Sequence, residues 1–312
     1  MDSVSRLPQT PAISIIVTSY TSERLGDIQD LLLSIKNQVA RNFEVIYVVE
    51  RDNTLEGSIA RIGRRLDLAL RVLSNKGEWG LAEARNLGAR GSVGEIIAFV
   101  DDDVMLRPDW SQSVERVFQE YPGIHGITGP AYPFWVGTPL EWWPVELDWL
   151  IGCTRWFHAN EIVKIRNCWG MNMAFQRRKF EGVGGFSRET GYHRGVLAED
   201  VELSLKLGGG NGEKLLYVPD MAVFSKVHPY RLQTRFVIER SMWIGYSRRT
   251  INRGYSTLDG LSPEYLLVAA LAKRLLNGSI FRRMKRVSDL LSLSRLVFVI
   301  FFSALMGYLI CS

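Results

Sequence analysis

Two hydrophobic rhythms alternate along the first half of the chain. Continuous apolar runs at Ile13–Thr18, Glu44–Val49, Leu70–Leu73 and Glu95–Val100 predict buried strands, and Gly126–Pro130 predicts one more. Between them the period lengthens. Leu25, Ile28, Leu32 and Ile35 recur at helical spacing within Glu23–Gln38, with Thr21 or Ser22 available as N-cap. Ile59–Leu70 and Leu81–Ala89 predict further helices. Pro108 predicts another, standing at its first position, with the helix running to about Glu120. Alternation of this kind implies an α/β architecture, a mostly parallel sheet with helices on both faces. Such sheets bind ligands beyond the carboxyl ends of their strands. That rule selects Ser19-Tyr20, Glu50 to Asp52 and Asp101 to Asp103 before any chemistry is considered.

The pattern loosens after residue 130. Tyr132–Trp156 is dense in Trp and Pro, and it reads either as a hydrophobic lid or as an interfacial or sugar-stacking surface. Gly170–Phe175 predicts a strand, followed by a short helix and a turn at Gly184-Gly185. Ala198–Leu207 predicts a helix, Gly208–Gly212 a flexible turn, and Leu215–Val218 and Met221–Phe224 short strands. From Tyr230 the chain reads as helical, basic and aromatic.

A hydrophobic content of 46% against 23% charged residues describes a folded chain rather than a disordered one. Met1–Thr10 is polar and lacks the apolar stretch of a signal peptide. Cys153, Cys168 and Cys311 form no C-x-x-C pair and have no histidine at zinc spacing, which points away from disulfides and zinc and toward a reducing, cytosolic compartment. The net charge of +5 is uneven, with basic residues at Arg248-Arg249 and in the run 282–286. That run is either a solvated face or a contact for anionic head groups. Uncharged Leu296–Cys311 follows it, slightly short of the roughly 20 apolar residues that span a bilayer. It reads as a short spanning tail, a re-entrant anchor or a helix buried in an oligomer. The basic flank favours membrane association from the cytoplasmic face. Basic residues beside an apolar tail, with no groove-reading motif, argue against nucleic acid as a partner.

Three consecutive aspartates, Asp101-Asp102-Asp103, close a buried strand. Adjacent like charges raise one another's pKa unless a cation compensates them, and carboxylate oxygens suit Mg²⁺ or Mn²⁺. The alternative is a solvated turn ahead of Pro108. In the segment Gly80-Leu81-Ala82-Glu83-Ala84-Arg85-Asn86-Leu87-Gly88, small residues allow a helix to pack closely on the sheet. Arg85 does not serve that purpose and suits a phosphate or a base edge.

Taken together, Ser19-Tyr20, Val48-Val49-Glu50, G-L-A-E-A-R-N-L-G, F-V-D-D-D and A-E-D-V-E-L resemble a family 2 glycosyltransferase of the GT-A (Rossmann-like) fold, over roughly residues 12 to 230. The resemblance implies a polar tail at 1–11 and a catalytic domain at 12–230. The domain divides into a nucleotide-binding half (12–130) and an acceptor-side half (131–230). A helical, membrane-associated region at 231–312 follows, with its hydrophobic tail at 296–311. It also implies that Thr18, Ser19, Tyr20, Arg85, Asp101 and Asp102 bind the nucleotide-sugar. The family usually carries two aspartates after the second strand; here Glu50, Arg51 and Asp52 stand there, so either Glu50 or Asp52 reads the base. Asp101-x-Asp103 matches the D-x-D motif, with Asp103 the direct ligand of Mg²⁺ or Mn²⁺ beside Asp101. His228 either completes the metal or diphosphate site, as a late histidine does in many such enzymes, or is structural.

Glu199-Asp200 resembles the family's E-D motif. It implies Asp200 as the base that takes the acceptor hydroxyl proton and Glu199 as its neighbour. The alternative is a pair of acids at a helix N-terminus. The segment Arg235–Arg249, with the basic run and the apolar end, is similar to archaeal and bacterial transferases that extend lipid-linked sugars, and the resemblance implies that arginines there meet a lipid phosphate or diphosphate. The expected reaction is inverting transfer from a nucleotide-sugar, UDP by family frequency, to a hydroxyl of a polyprenyl- or dolichyl-linked saccharide. No Q-x-x-R-W motif follows, which argues against polymer synthesis. A polyprenyl-phosphate sugar synthase is the competing enzyme, and a non-catalytic nucleotide-sugar-binding membrane scaffold is the competing class.

Overall fold

In a computed structural model of the chain, residues 11–77, 80–140, 142–157, 159–187, 199–208, 213–254, 273 and 287–310 are described. The apolar runs become β1 (Ile13–Ser19), β2 (Phe43–Glu50), β3 (Leu70–Asn75) and β4 (Ile96–Asp101). β2 and β4 flank β1, β3 lies outside β2, and all these pairings are parallel. Three helices make the crossovers: α1 (Leu25–Lys36), α2 (Asn53–Arg65) and α3 (Leu81–Arg90). The chain winds outward from β1 to β3 and then returns to the other side of β1 as β4. This reversal is a topological switch point, where an open α/β sheet presents its ligand crevice. In the register of the two strands Thr18 lies beside Asp101, so the first of the three aspartates stands at the switch point.

Short strands extend the sheet: β5 (Val104–Leu106), β6 (Gly126–Thr128), β7 (Ala131–Trp135), β8 (Val163–Lys164), β9 (Asn172–Gln176), β10 (Leu215–Tyr217) and β11 (Val223–Val227). The main sheet has eight strands in the order β3-β2-β1-β4-β9-β6-β10-β8, and β5-β11-β7 form a second sheet of three. β9 runs antiparallel to both β4 and β6, which makes the fold a mixed α/β sheet with a parallel core.

Two hydrophobic layers sandwich the main sheet. On one face Ile28, Leu32, Ile59 and, from α4 (Trp110–Glu120), Trp110 and Val114 pack on Ile13, Ile15 and Val17. On the other, Ala82 and Ala84 of α3 meet Ile16, Phe99 and Phe175, joined by Phe180 of α5 (Arg177–Gly182) and Leu203 of α6 (Glu199–Gly208). The small residues of α3 are required by the distance: a Cβ on Gly88 would collide with the Ile16 side chain.

Two helix boundaries differ from their expectation. α2 begins at Asn53 rather than Ile59 because Asp52 caps it, its Oδ1 accepting from Leu55 N at 2.9 Å, and Leu70 belongs to β3. Pro108 does not open α4. It stands in the preceding turn, where its carbonyl accepts from Val39 N, and the helix starts at Trp110. Of the glycine run 208–212, only Gly208 lies within the described residues, as the end of α6; the basic run 282–286 and Cys311 lie outside them. Cys153 and Cys168 are buried free thiols.

The tryptophan-dense segment builds a third core. Trp143, Leu147, Leu150 and Ile151 pack with Val237 of α7 (Thr234–Gly254) and with Leu293 and Ile300 of α8 (Val287–Ile310). The hydrophobic tail is therefore part of a longer helix that lies along α7. Its stretch Leu291–Ile310 has a mean hydropathy of 2.0 and is long and apolar enough to cross a membrane.

Candidate active site

The carboxyl end of β4 turns directly into β5, and this turn spreads the three aspartates. Asp101 keeps its side chain 40% exposed, toward the crevice. Asp102 points inward. Its Oδ2 accepts from Ser19 Oγ at 2.6 Å and its Oδ1 from Arg24 Nη1 at 2.9 Å, while Ser19 Oγ also bonds Tyr47. Burial above all pushes the Asp102 carboxyl up to about 6. Ser19 and Asp102 thus brace the turn from behind. Asp103 is buried and paired with Arg231, and Arg24 lies 3.6 Å from it. Tyr20 is exposed, with the Arg24 guanidinium over its ring.

Arg85 forms the hub. Its side chain is 3% exposed, and it donates from Nη1 to Glu199 Oε1 at 2.9 Å and from Nη2 to Asp101 Oδ1 at 3.0 Å and Gly170 O at 2.9 Å. Helix α3 therefore ties the end of β4 to the start of α6. The neighbouring Asn86 clamps Phe186, donating to its carbonyl at 2.9 Å and accepting from its N–H at 3.0 Å. That clamp follows Gly184 and Gly185, whose φ values of 81° and 71° suit glycine. The Phe186 ring in turn lies against the Arg85 guanidinium.

Glu199 and Asp200 differ in setting. Glu199 is buried at 5% exposure, and burial, reinforced by the Asp200 charge, pushes it up to about 7. Asp200 is half-buried and fixed by backbone donors, Gly170 N to Oδ2 at 2.9 Å and Val201 N to Oδ1 at 2.8 Å.

After β2 the two candidate carboxylates separate. Asp52 is spent on capping α2. Glu50 is buried; its Oε1 accepts from Gly80 N at 3.2 Å, while its Oε2 is enclosed without a hydrogen-bond partner among the described residues. Arg51 between them adopts φ 52°, an uncommon conformation for a residue with a side chain.

His228 lies in a neighbouring cluster. Its Nε2 meets Asp27 Oδ2 at 2.7 Å, Lys226 binds Asp27 and Asp30, and the imidazole stacks on Tyr230. Among the described residues it forms no hydrogen bond or ion pair with the three aspartates. The basic residues that reach Asp103 are Arg231 and, at 3.6 Å, Arg24.

Residues 14–184 match the family model described as "Glycosyl transferase family 2". The chain belongs to that family. It is a glycosyltransferase, similar along its length to the glucosyl-dolichyl phosphate glucuronosyltransferase of Haloferax volcanii, at 26% identity over 95% of this chain and 94% of that one. An uncharacterized glycosyltransferase of Haemophilus influenzae is 35% identical over 62% of this chain and 61% of its own. Among solved structures, the mannosyltransferase PcManGT of Pyrobaculum calidifontis, in complex with GDP-Man and Mn²⁺, superposes with a TM-score of 0.64. It shares 18% identity, covering 97% of this chain and 88% of its own. TarS of S. aureus in complex with UDP-GlcNAc gives 0.53 at 15% identity, covering 95% and 89%. These likenesses establish the GT-A-like fold.

The glycosyltransferase's chain order had not revealed Arg24 or Arg231 as partners of the aspartates. The one available signal was the cost of three adjacent carboxylates, which demands cations without naming them.

Proposed function

We propose that the chain is an inverting transferase that moves a sugar from a nucleotide-sugar, a UDP-sugar first among the candidates, to a hydroxyl of a polyprenyl- or dolichyl-linked saccharide at the cytoplasmic face of a membrane. The observation that carries this is the Arg85 hub, in which one buried guanidinium holds both the donor-side Asp101 and the acceptor-side Glu199. A transfer reaction needs those two sides in fixed relation, since most of its catalysis is positioning and electrostatics. The name of the archaeal relative supports a lipid phosphate that already carries a sugar, and so a hydroxyl nucleophile rather than the bare phosphate of a synthase.

In this reading Thr18, Tyr20 and Glu50 line the donor crevice. The unmet Oε2 of Glu50 suits a base or ribose donor, while Asp52 stays structural. Asp101 and Asp103 would hold Mg²⁺ or Mn²⁺. Their hard oxygens fit such an ion, and among the described residues no three acidic, His or Cys side chains converge on a ready-made site. Diphosphate oxygens would then complete the coordination. When bound, the ion neutralises charge on the departing nucleotide. Arg85 holds Asp101, Arg231 and Arg24 hold Asp103, and the contacts of Asp102 with Ser19 and Arg24 brace the turn between them. Asp200, more exposed than Glu199 and anchored by backbone donors, accepts the acceptor hydroxyl proton as oxygen attacks the anomeric carbon opposite the nucleotide. Glu199 positions Arg85.

Calorimetric titration with UDP and GDP, each with and without Mn²⁺, tests the donor site. Metal-dependent binding of one nucleotide, lost in Asp103→Ala, is the expected result. A folded wild-type chain that bound neither would overturn the assignment.

A further inference from the structure

Helix α7 starts shortly after the turn that delivers Arg231 to Asp103, and it carries a second inward cation. Arg240 is partly buried, and its Nε, like that of Arg249 further along the helix, is enclosed with no hydrogen-bond partner among the described residues. The strongest charge influences on it come from Arg231, Asp101, Asp200 and Glu199. Those carboxylates already have partners: Arg85 holds Asp101 and Glu199, and backbone N–H groups hold Asp200. Burial, the dominant influence on Arg240, disfavours its charged form. An enclosed guanidinium donor without an acceptor is costly, and a forked guanidinium matches phosphate oxygens.

What surrounds Arg240 indicates which phosphate. Thr234, Val237 and Arg240 are successive i, i+3 neighbours on α7. The first two line a cavity of about 250 Å³, whose other walls include Trp142, Trp143, Leu296 and Val299, with Ser292 and Arg295 as its polar wall; Arg240 stands one turn beyond Val237, outside this lining. One side of α7 thus runs from a largely apolar cavity, with Arg295 in its wall, toward residues that feel the charge of the acidic centre.

Immediately beyond Arg240 the helix is locked to α8. A Cβ on Gly245 would collide with Ala304 O, and one on Gly307 with Met242 O, so the two backbones touch in both directions. The outer side of α8 is apolar and open, with Phe298 at 69% and Phe302 and Leu305 each at 56% exposure. Donor phosphates belong at the strand ends. A phosphate on a hydrocarbon chain needs a cation, then an apolar slot, then a lipid-facing surface, and these follow one another here.

We propose that Arg240 binds the phosphate of a polyprenyl phosphate and that the cavity between Trp142-Trp143 and α8 receives the first isoprene units. This rests on the lipid-linked acceptor reading above. The shared chemistry is a phosphate anion, and the test separates its two sources, lipid and nucleotide.

The full chain in detergent micelles is titrated with farnesyl phosphate, with farnesol, and with UDP and GDP plus Mn²⁺, using wild type, Arg240→Gln and Arg240→Lys. Loss of a charge-assisted hydrogen bond to phosphate predicts about ten- to a hundredfold weaker farnesyl phosphate binding in Arg240→Gln. Partial recovery in Arg240→Lys is expected, with farnesol affinity unchanged and nucleotide affinity within about twofold; that unchanged nucleotide binding also reports an intact fold. Unchanged farnesyl phosphate affinity in Arg240→Gln would overturn the proposal. Weakened nucleotide binding would also overturn it, by assigning Arg240 to the donor. A wild-type chain that bound farnesyl phosphate but no nucleotide would sink the donor site and leave this one standing.

Discussion

Charge is buried in two different ways on the two sides of this crevice. Around the carboxyl end of β4 the carboxylates are matched by the protein itself: the part-exposed Asp101 and, from the start of α6, the buried Glu199 by Arg85, Asp102 by Arg24, Asp103 by Arg231. On α7, the enclosed Nε of Arg240 has no hydrogen-bond partner among the described residues. The first arrangement is self-contained and fixes geometry before substrate arrives, as electrostatic preorganisation requires. The second is complete only with a ligand. Stability should therefore depend chiefly on the first region, and affinity for a lipid phosphate on the second.

The sharpest way to break that contrast is Arg85→Ala. It strands Asp101 and Glu199 without their cation, and removing one partner of a buried pair typically costs about 3–5 kcal/mol. Thermal unfolding should show that loss together with near-complete loss of turnover. Turnover lost at an unchanged melting temperature would mean that the hub is not structural. Asp200→Asn should separate chemistry from architecture. Removing a positioned base predicts a roughly 10²- to 10⁴-fold lower turnover, with nucleotide affinity intact. Turnover largely retained would favour a phosphate nucleophile, which needs no strong base, and with it the synthase reading.

A smaller effect belongs to the helix pair. Gly307→Leu inserts a side chain where α8 touches the Met242 carbonyl. Overpacking of this kind costs about 1–3 kcal/mol, read as a lower melting temperature, with nucleotide binding by the donor crevice unchanged. If nucleotide affinity fell as well, the two regions would be coupled rather than separate.

The same contrast marks what was legible in the sequence. The donor half follows local rules: apolar runs make strands, the 3.6-residue period makes helices, and Asp101–Asp103 fall at a strand end because the run before them is apolar. The position of Asp200 and its pairing with Glu199 were visible through motif resemblance. Arg24 and Arg231 were not, because their partners lie 78 and 128 residues away along the chain. The choice between Glu50 and Asp52 likewise needed the observation that Asp52 caps α2. The Trp142-Trp143 corner offered a lid and a surface as readings. It turns out to pack on α8, a long-range contact that periodicity does not encode.

The smallest effect concerns pH and tests whether the Arg85 hub is as dry as its geometry indicates. Glu199 titrates near 4.5 when solvated, but burial lifts it to about 7 in the fold. Between those values the folded chain holds a proton that the unfolded chain has released. Its contribution to stability is thus complete below about pH 4.5 and is lost as pH rises through about 7. Glu199→Gln stays neutral throughout and should flatten the melting temperature against pH across this window, while the contribution of Asp102, raised to about 6 by its own burial, remains in both proteins. Equal slopes for wild type and variant would show that Glu199 is ionised and paired with Arg85 across the whole range. The attraction of Arg85 would then outweigh the burial of Glu199, and the hub would be a fully charged pair at every pH in this window.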